Sequence, residues 1–266
     1  MSKVILITGA STGIGRATAE HLTRVGHRVY GTSRKPFEDG VSFQTLIMDV
    51  QSEASIQSAV TQLLQQESKL DVLINNAGLG IIGALEETSE EMIQRVFDTN
   101  VWGALRVCRA VIPAMRQQNN GLIINISSIA GTMGLPFRGI YSASKAAVEI
   151  LTETLNIELK PFGIQACSVL PGDVRTNINS TRLVAISPKG SPYRSWVEAM
   201  NHKVNEEVNQ AAEPQYIAKT IEKIINTPSP NIHYVAGPFL QRASIWLKRL
   251  LPSRVFEYLL RENYGM

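Results

Sequence analysis

The sequence predicts an α/β fold in which one doubly wound parallel sheet carries helices on both faces. Short, nearly continuous apolar runs alternate with longer segments of helical period, which is typical of parallel strands buried on both sides. No linker, repeat or low-complexity segment divides the 266 residues. The predicted strands are KVILIT (3–8), HRVYGTS (27–33), FQTLIM (43–48), DVLIN (71–75), GLIINIS (121–127), IQACSVL (164–170) and IHYVA (232–236).

Helical patterns fill the intervals between these strands. One helix is expected to begin near Gly13, directly after the first strand. A long helix carries an apolar pattern from Met92 to Met115, and the spacing of Thr88 and Glu91 predicts a capping box at its start. The other predicted helices cover about 53–67, 140–160 and 213–226, and a helical tail ends the chain.

Residues 175–212 fit no regular element. They contain Pro188, Gly190, Pro192, many polar side chains and weak helical pieces. We predict an irregular substrate-binding loop, because the segment follows a strand and therefore lies at the carboxyl edge of the sheet, where such folds bind ligands. The chain is thus divided into one nucleotide-binding catalytic domain, residues 1–238, which contains this loop, and a helical extension, residues 239–266.

Composition and charge exclude several classes of protein. Hydrophobic residues make up 44% and charged residues 18% of the chain, which is ordinary for a soluble globular domain. The net charge of +3 arises after residue 238, where five basic residues outnumber two acidic ones. A basic face for nucleic acid is therefore not expected.

Targeting signals and metal-ligand patterns are not recognised in the sequence. Cys108 and Cys167 lie in apolar runs, as expected for core residues in a reducing compartment. The first strand follows the N-terminus almost directly, and no apolar run reaches the roughly 18 residues of a membrane span. The four histidines are scattered, so no metal site is expected. We therefore expect a cytoplasmic protein.

The stretch TGASTGIG (8–15) lies between the first strand and the first helix. Its glycines let the backbone turn tightly and approach a ligand, and amides at the start of a helix favour a phosphate. The spacing differs from the usual G-x-G-x-x-G, but the position predicts a dinucleotide site. The residues expected to form it are Gly9, Ser11, Thr12, Gly13, Ile14 and Gly15.

The end of the second strand indicates which dinucleotide is preferred. A site for NAD usually places an acid there to bind the ribose 2′-hydroxyl. This chain has Ser33, Arg34 and Lys35 instead. A guanidinium can bind a 2′-phosphate with two hydrogen bonds, so the sequence favours NADP(H) over NAD(H).

The stretch YSASK (141–145) places Tyr141 and Lys145 four residues apart, on one face of a predicted helix. A tyrosine hydroxyl is ordinarily a poor acid-base catalyst at neutral pH. A neighbouring ammonium stabilises the phenolate form, which makes proton transfer easier. Ser128 lies 13 residues before Tyr141 and can hydrogen-bond a substrate oxygen, with Ser127 as the competing candidate.

Five motifs in this order make the chain resemble the short-chain dehydrogenase/reductase family. They are TGASTGIG (8–15), NNAG (75–78), Asn100, the set Ser128–Tyr141–Lys145, and PGDVRT (171–176). The resemblance covers about residues 3–237. It implies a Rossmann-type oxidoreductase that transfers a hydride between a nicotinamide and a carbonyl or secondary alcohol, and a homodimer or homotetramer.

The resemblance also implies roles for single residues. Tyr141 exchanges the proton, and Lys145 holds the nicotinamide ribose as well as tuning the tyrosine. Asn100, a poor helix former inside an apolar pattern, can hold a kink and a water, and by resemblance that water links Lys145 to solvent. Thr176 holds the nicotinamide carboxamide. The remaining implied cofactor contacts are Asp49, Val50, Asn76, Ala77, Gly78, Pro171, Gly172 and Val174.

The tail, residues 239–266, has two amphipathic segments separated at Pro252. We expect it to pack on the enzyme and shape a lipophilic substrate site, while a basic amphipathic membrane-surface helix is the alternative. Similar tails in the hydroxysteroid and retinol dehydrogenase-like branch favour a steroid-, retinoid- or lipid-like substrate. The competing functions are a 3-ketoacyl reductase of the same family, and a non-catalytic NADPH-sensing protein.

Overall fold

The computed structural model describes residues 2–37, 40–176 and 181–266. Seven parallel strands form one sheet, and two short parallel strands form a second one. The strands are β1 (Val4–Ile7), β2 (Arg28–Ser33), β3 (Gln44–Ile47), β4 (Val72–Asn75), β5 (Ile81–Ile82), β6 (Gly121–Ile126), β7 (Ile164–Pro171), β8 (Leu183–Val184) and β9 (His233–Ala236).

Nine α-helices are found within these described ranges, most of them between consecutive strands. The helices are α1 (Gly13–Arg24), α2 (Glu53–Glu67), α3 (Glu90–Phe97), α4 (Ala104–Gln118), α5 (Gly139–Leu159), α6 (Arg194–Gln210), α7 (Gln215–Ile225), α8 (Phe239–Leu250) and α9 (Ser253–Asn263). A π-helical segment, Asp98–Gly103, joins α3 to α4 without a break. Among the described residues, no helix is both long enough and apolar enough to cross a membrane.

The order of the main sheet is β3-β2-β1-β4-β6-β7-β9, as expected for a doubly wound fold. From β1 the chain extends the sheet to one side through β2 and β3, and from β4 it extends the sheet to the other side through β6, β7 and β9. The connections therefore diverge and leave a crevice at the carboxyl ends of β1 and β4. Alternate residues of β1 supply the two cores. Val4 and Leu6 pack in one apolar cluster, whereas Ile5 and Ile7 pack in the cluster on the other face.

The predicted capping box at Thr88 and Glu91 is wrong. Ser89 is the N-cap of α3, and its hydroxyl accepts a hydrogen bond from the Met92 amide at 3.3 Å. The Thr88 hydroxyl instead donates to the Ala84 carbonyl at 2.7 Å. Because that bond occupies the hydroxyl in a buried turn, the next residue takes the capping position.

The prediction of an irregular loop over 175–212 is also wrong for much of its length. Strand β8 and the 17-residue helix α6 lie within it, while residues 177–180 fall outside the described residues. Helix α6 buries side chains spaced three or four residues apart, as an amphipathic helix does. These side chains are Val197, Met200, Val204 and Val208, which pack with Ile82 of β5. The segment therefore forms a packed wall above the carboxyl edge of the sheet.

The tail folds back onto the catalytic domain as two helices. Ile245 of α8 is buried in a cluster with Ile129, Met133 and Leu170. Gln241 Oε1 accepts a hydrogen bond from the Asp173 backbone amide at 3.0 Å, and Gln241 Nε2 donates one to the Asp173 carboxylate. The inner face of α8 therefore packs directly against the segments that follow β6 and β7.

Candidate active site

The turn after β1 has a left-handed backbone, which favours glycine, at two of its positions. Gly9 and Gly13 have φ values of +66° and +58°, and α1 begins at Gly13. At Gly15 a Cβ atom would lie 2.3 Å from the Gly9 carbonyl oxygen and 2.4 Å from Asn76 Nδ2. Ser11, Thr12 and Ile14 complete the turn, and Thr12 is the N-cap of α1. Free amides at the start of α1 can therefore receive a pyrophosphate.

Thr8 and Asn76 fix this turn to the neighbouring strand end. Asn76 Nδ2 donates to the carbonyls of Thr8 at 3.0 Å and Gly9 at 2.9 Å. The buried Thr8 hydroxyl accepts from the backbone amides of Asn76 and Ala77. Sequence reasoning missed Thr8, although it is the first residue of TGASTGIG. The Asn76 amide thus supports the turn, and Ala77 packs on Gly9.

The ends of β2 and β3 form the far side of the crevice. Ser33 closes β2, and its hydroxyl accepts from the Lys35 amide at 3.3 Å. The Arg34 side chain is exposed. Asp49 is half-buried after β3, and the buried Val50 follows it. The residues expected at the adenosine end are therefore grouped at one edge, with Arg34 open to an incoming phosphate.

Lys145 and Asn100 are buried beside the end of β4. Lys145 Nζ donates to the Ile126 carbonyl at 2.8 Å. Asn100, in the π-helical segment, accepts from the Leu79 amide at 2.7 Å and donates to the Leu79 carbonyl at 2.9 Å. A Cβ at Gly78 would lie 3.5 Å from both Asn100 Oδ1 and Lys145 Nζ. Gly78 therefore leaves open the space between the two polar groups.

The two candidate serines have different surroundings. Ser127 is buried, and its hydroxyl donates to the Lys145 carbonyl at 3.2 Å. Ser128 is half-exposed and accepts from the Ala130 amide at 3.1 Å, so its own proton stays available for a ligand. The turn after Ser128 approaches α5 closely, since a Cβ at Gly131 would lie 2.9 Å from the Lys145 carbonyl carbon.

Tyr141 is half-buried on the first turn of α5. Lys145 Nζ lies 5.9 Å from the centre of its ring, and Arg138 Cζ lies 5.7 Å from the same point. The structure therefore brings Tyr141, Lys145 and the Ser128 turn together on one side of α5. Two cationic groups therefore lie within 6 Å of the centre of the aromatic ring.

The segment after β7 borders the same crevice. Pro171 ends β7, the Gly172 amide donates to the Ala236 carbonyl at 2.8 Å, and Val174 forms a bridge with Ala212. The Thr176 side chain lies over the start of α1, because a Cβ at Gly13 would be 3.1 Å from its Cβ and Cγ2. The cradle of glycines, the free helix amides and the Lys145 ammonium fit a nicotinamide dinucleotide.

Comparison with known proteins identifies the family to which this chain belongs. Residues 3–184 match the family model described as short chain dehydrogenase. The chain belongs to the short-chain dehydrogenase family.

A curated relative in this family is the 3-ketodihydrosphingosine reductase of Bacteroides thetaiotaomicron. It is 40% identical over 265 residues, which cover 99% of this chain and 98% of the relative. A short-chain dehydrogenase from Streptomyces avermitilis is 32% identical with a TM-score of 0.84, covering 100% of this chain and 98% of the other. A Burkholderia phymatum short-chain dehydrogenase in complex with NAD is 30% identical with a TM-score of 0.80, covering 93% of each chain.

The substrate side of this short-chain dehydrogenase includes charged residues that sequence reasoning missed. Burial, together with the neighbouring charge of Arg138, lowers the pKa of Arg182 to about 10. Burial also raises the pKa of Glu207, and the negative charge of the nearby Asp173 carboxylate raises it further. Arg138, Arg182 and Glu207 lie in no recognisable motif, so no sequence signal marks them.

The C-terminal end of the chain reaches the same group of charges. Burial raises the pKa of the Tyr264 hydroxyl, although a hydrogen bond from Arg138 opposes the shift. Lys203 Nζ of α6 lies 4.7 Å from the centre of the Tyr264 ring and donates to the Asn263 carbonyl. Arg138 therefore links the tail to Tyr141. It is hydrogen-bonded to the Tyr264 hydroxyl, and its Cζ lies 5.7 Å from the centre of the Tyr141 ring.

Proposed function

We propose that this short-chain dehydrogenase is an NADP(H)-dependent reductase of a lipophilic ketone, and that a 3-keto sphingoid base is the first substrate to test. The observation that carries the reaction class is the grouping of Ser128, Tyr141 and Lys145 beside the glycine turn. The enzyme class follows from the family. The cofactor preference, the substrate class and the residue roles are our proposals.

The polar residues have complementary tasks in this proposal. Tyr141 donates its hydroxyl proton to the carbonyl oxygen during reduction, and the adjacent Lys145 ammonium stabilises the phenolate left behind. Ser128 donates a hydrogen bond to the same oxygen and stabilises the developing alkoxide. A bound nicotinamide supplies the hydride. Asn100 keeps Lys145 accessible to a water that returns the proton.

The preference for NADP(H) rests on Arg34. This guanidinium is exposed at the end of β2, and Ser33 and Lys35 stand beside it where an NAD site usually has a carboxylate. A ribose 2′-phosphate can bind between these groups with charge-assisted hydrogen bonds. The NAD complex of the related Burkholderia phymatum enzyme makes NAD(H) the alternative to be tested.

The preference for a lipophilic substrate rests on two apolar clusters. One joins Ile82 to α6, and the other holds Ile129, Met133 and Ile245 beside the Ser128 turn. In the proposal, both clusters border the substrate cleft. The name of the 40% identical relative suggests a 3-keto group on a long-chain amino alcohol. Cytoplasmic location and a homodimer or homotetramer complete the proposal.

The test is a substrate screen with the purified full-length protein and both reduced cofactors. Oxidation of the cofactor is followed by absorbance with 3-ketodihydrosphingosine in micelles, retinal, a steroid ketone and an acetoacetyl thioester, and products are identified by mass spectrometry. We expect the highest kcat/KM with the sphingoid ketone and NADPH. Preferential reduction of the thioester would favour the 3-ketoacyl reductase, and cofactor binding without any turnover would favour the NADPH-sensing protein.

Two serine variants test the site itself. Ser128→Ala should lower kcat by about 10²- to 10³-fold, as expected when a donor to the developing oxyanion is removed. Ser127→Ala is the matched control, because its hydroxyl is already bonded to the Lys145 carbonyl. That variant should lose only the contribution of one hydrogen bond, about 1 kcal/mol of stability. The opposite ranking of the two kcat values would exchange the roles of these serines.

A further inference from the structure

Helix α8 turns its strongly apolar side chains away from the protein. Phe239, Trp246 and Leu250 are 80%, 65% and 77% exposed. They are seven and four residues apart, so they lie along one stripe of the helix. An amphipathic helix that only packed on the domain would bury such a stripe. These three apolar side chains of α8 are therefore available to another surface.

The opposite face of α8 is the one that packs on the enzyme. Gln241 is bonded to Asp173, Ile245 is buried, and Lys248 donates to the Thr132 carbonyl. Two of these three side chains are polar. The helix is thus fixed in an orientation that leaves the stripe outward, and rotating it inward would break these contacts.

Helix α9 repeats the pattern. Val255, Tyr258 and Leu259 are exposed, and the last two follow Val255 by three and four residues. Phe256 instead packs in the cluster of Ile129 and Ile245. We call six of the exposed apolar side chains on the two helices the outer apolar stripe. Its members are Phe239, Trp246, Leu250, Val255, Tyr258 and Leu259.

Exposed guanidinium groups accompany the stripe. They belong to Arg242, Arg249, Arg254 and Arg261, and residues 239–266 together carry a net charge of +3. Tryptophan and tyrosine beside cations are typical of helices that lie at a bilayer surface, where an apolar ring and a polar edge are both solvated. A lipid surface with negative headgroups complements this combination, because it offers apolar depth and opposite charge together.

We propose that α8 and α9 dock on the surface of an anionic lipid bilayer through the outer apolar stripe. Neither helix spans the bilayer, since each has 12 residues or fewer. The inner face of α8 contacts Thr132, four residues from Ser128, so docking holds the cleft next to the lipid. A lipophilic substrate can then reach the site without crossing water. The docking itself does not depend on the proposed reductase activity.

Flotation of the full-length protein with vesicles tests the proposal. The vesicles contain phosphatidylcholine alone or with about one third phosphatidylglycerol, in low and in moderate salt. We expect flotation with the anionic vesicles and weaker flotation when salt rises, because screening reduces only the electrostatic part. The double variant Trp246→Ser with Leu250→Ser should lower the partition coefficient at least about tenfold. The matched control is Ile157→Ser, since Ile157 is a 71% exposed residue of α5 outside the tail, and it should float like the parent.

Tryptophan fluorescence gives a second measurement. Contact of Trp246 with the bilayer should shift its emission to shorter wavelength, and Trp246→Phe should remove that shift while flotation persists. The proposal is overturned if the intact protein does not float, or if the double variant floats like the parent. It is also overturned if the double variant converts a lipid-free oligomer to a smaller species in light scattering without a change in flotation. That result would make the stripe an interface between copies of the chain.

Discussion

We propose that the glycine turn and the tail are both functional surfaces of this molecule, and we expect them to tolerate substitutions very differently. In the turn, backbone approaches backbone, and a single added Cβ at Gly15 would lie 2.3 Å from a carbonyl oxygen. In the tail, the outward side chains of α8 touch solvent and the inward ones fill a small cluster. Where backbone segments approach closely, as at Gly15, only glycine fits. Where a helix packs on a domain, as α8 does, any side chain of similar size and polarity can occupy the packed face.

This difference separates cofactor binding from substrate selection. The dinucleotide is the same for many substrates, and a backbone cradle suits it because amides and helix dipoles bind phosphate without reading side chains. In our proposal, the substrate walls come from α6, the Ser128 turn and α8, which carry two apolar clusters. Those walls can be altered by ordinary apolar substitutions without disturbing the cradle. The four predictions below test this division.

The largest effect is expected at the turn. Gly15→Ala should abolish measurable binding of NADPH, since the new methyl group would displace the Gly9 carbonyl or the Asn76 amide. The measurement is fluorescence titration of the reduced cofactor. Gly134→Ala is the control, because no atom lies within 4 Å of a Cβ built there. Normal binding by the Gly15 variant would show that the turn can relax, and the contrast with the tail would disappear.

Removal of the Tyr141 hydroxyl should act on chemistry alone. Tyr141→Phe keeps the ring between Arg138 and Lys145 but removes the proton that is transferred. We expect kcat to fall by at least about 100-fold, with the dissociation constant of NADPH nearly unchanged. Steady-state kinetics and cofactor titration on the same preparation measure both. A variant with parental turnover and pH profile would exclude Tyr141 as the acid.

Exchange of charge at the end of β2 should alter the choice of cofactor. Arg34→Asp replaces a cation suited to a 2′-phosphate with an acceptor suited to a 2′-hydroxyl. The ratio of kcat/KM for NADPH to that for NADH should fall about tenfold or more, which corresponds to about 1.4 kcal/mol. Arg24→Asp, on the last turn of α1, is the control for a general loss of positive charge. A ratio that stays constant, or a parent that already prefers NADH, would make Arg34 an ordinary surface residue.

The smallest effect on activity is expected from the tail. Ile245→Ala empties part of the cluster beside the Ser128 turn, and it should lower the free energy of unfolding by about 2–4 kcal/mol. It should also raise KM for bulky substrates more than for small ones. Leu250→Ala on the outer face should stay within about 0.5 kcal/mol of the parent. Denaturant unfolding and KM values for a long and a short ketone measure the difference. Equal effects from the two variants would mean that α8 does not form a substrate wall.

The parts of the site that sequence reasoning located are those with a backbone requirement or a fixed spacing along the chain. The strands, the α1 start at Gly13 and the family resemblance followed from apolar runs and fixed spacings, and the structure has the strands within a few residues. Asn100 was expected at a kink, and it lies in a π-helical segment. These features are visible because few residue types can occupy them.

The features that were missed depend on which of several chemically similar side chains forms a particular hydrogen bond or packing contact in the folded protein. Helix α6 was hidden because Pro188, Gly190 and Pro192 precede a sequence that is otherwise amphipathic. Thr88 and Ser89 can both cap a helix, and the bond of Thr88 to Ala84 decides between them. The outward stripe of α8 could not be inferred, because its orientation depends on the polar anchor from Gln241 to Asp173.

The π-helical segment at Asp98–Gly103 makes the site depend on the number of residues between α3 and α4, as well as on which residues they are. A π turn holds one residue more than the α-helical turns beside it. Loss of one codon from this stretch would let α3 and α4 wind as one regular helix, because the wide turn that holds the extra residue would be gone. Asn100 would then leave Leu79 and Ser144, although every proposed catalytic residue would still be encoded. A one-residue gap here is therefore a more damaging genetic change than most substitutions nearby.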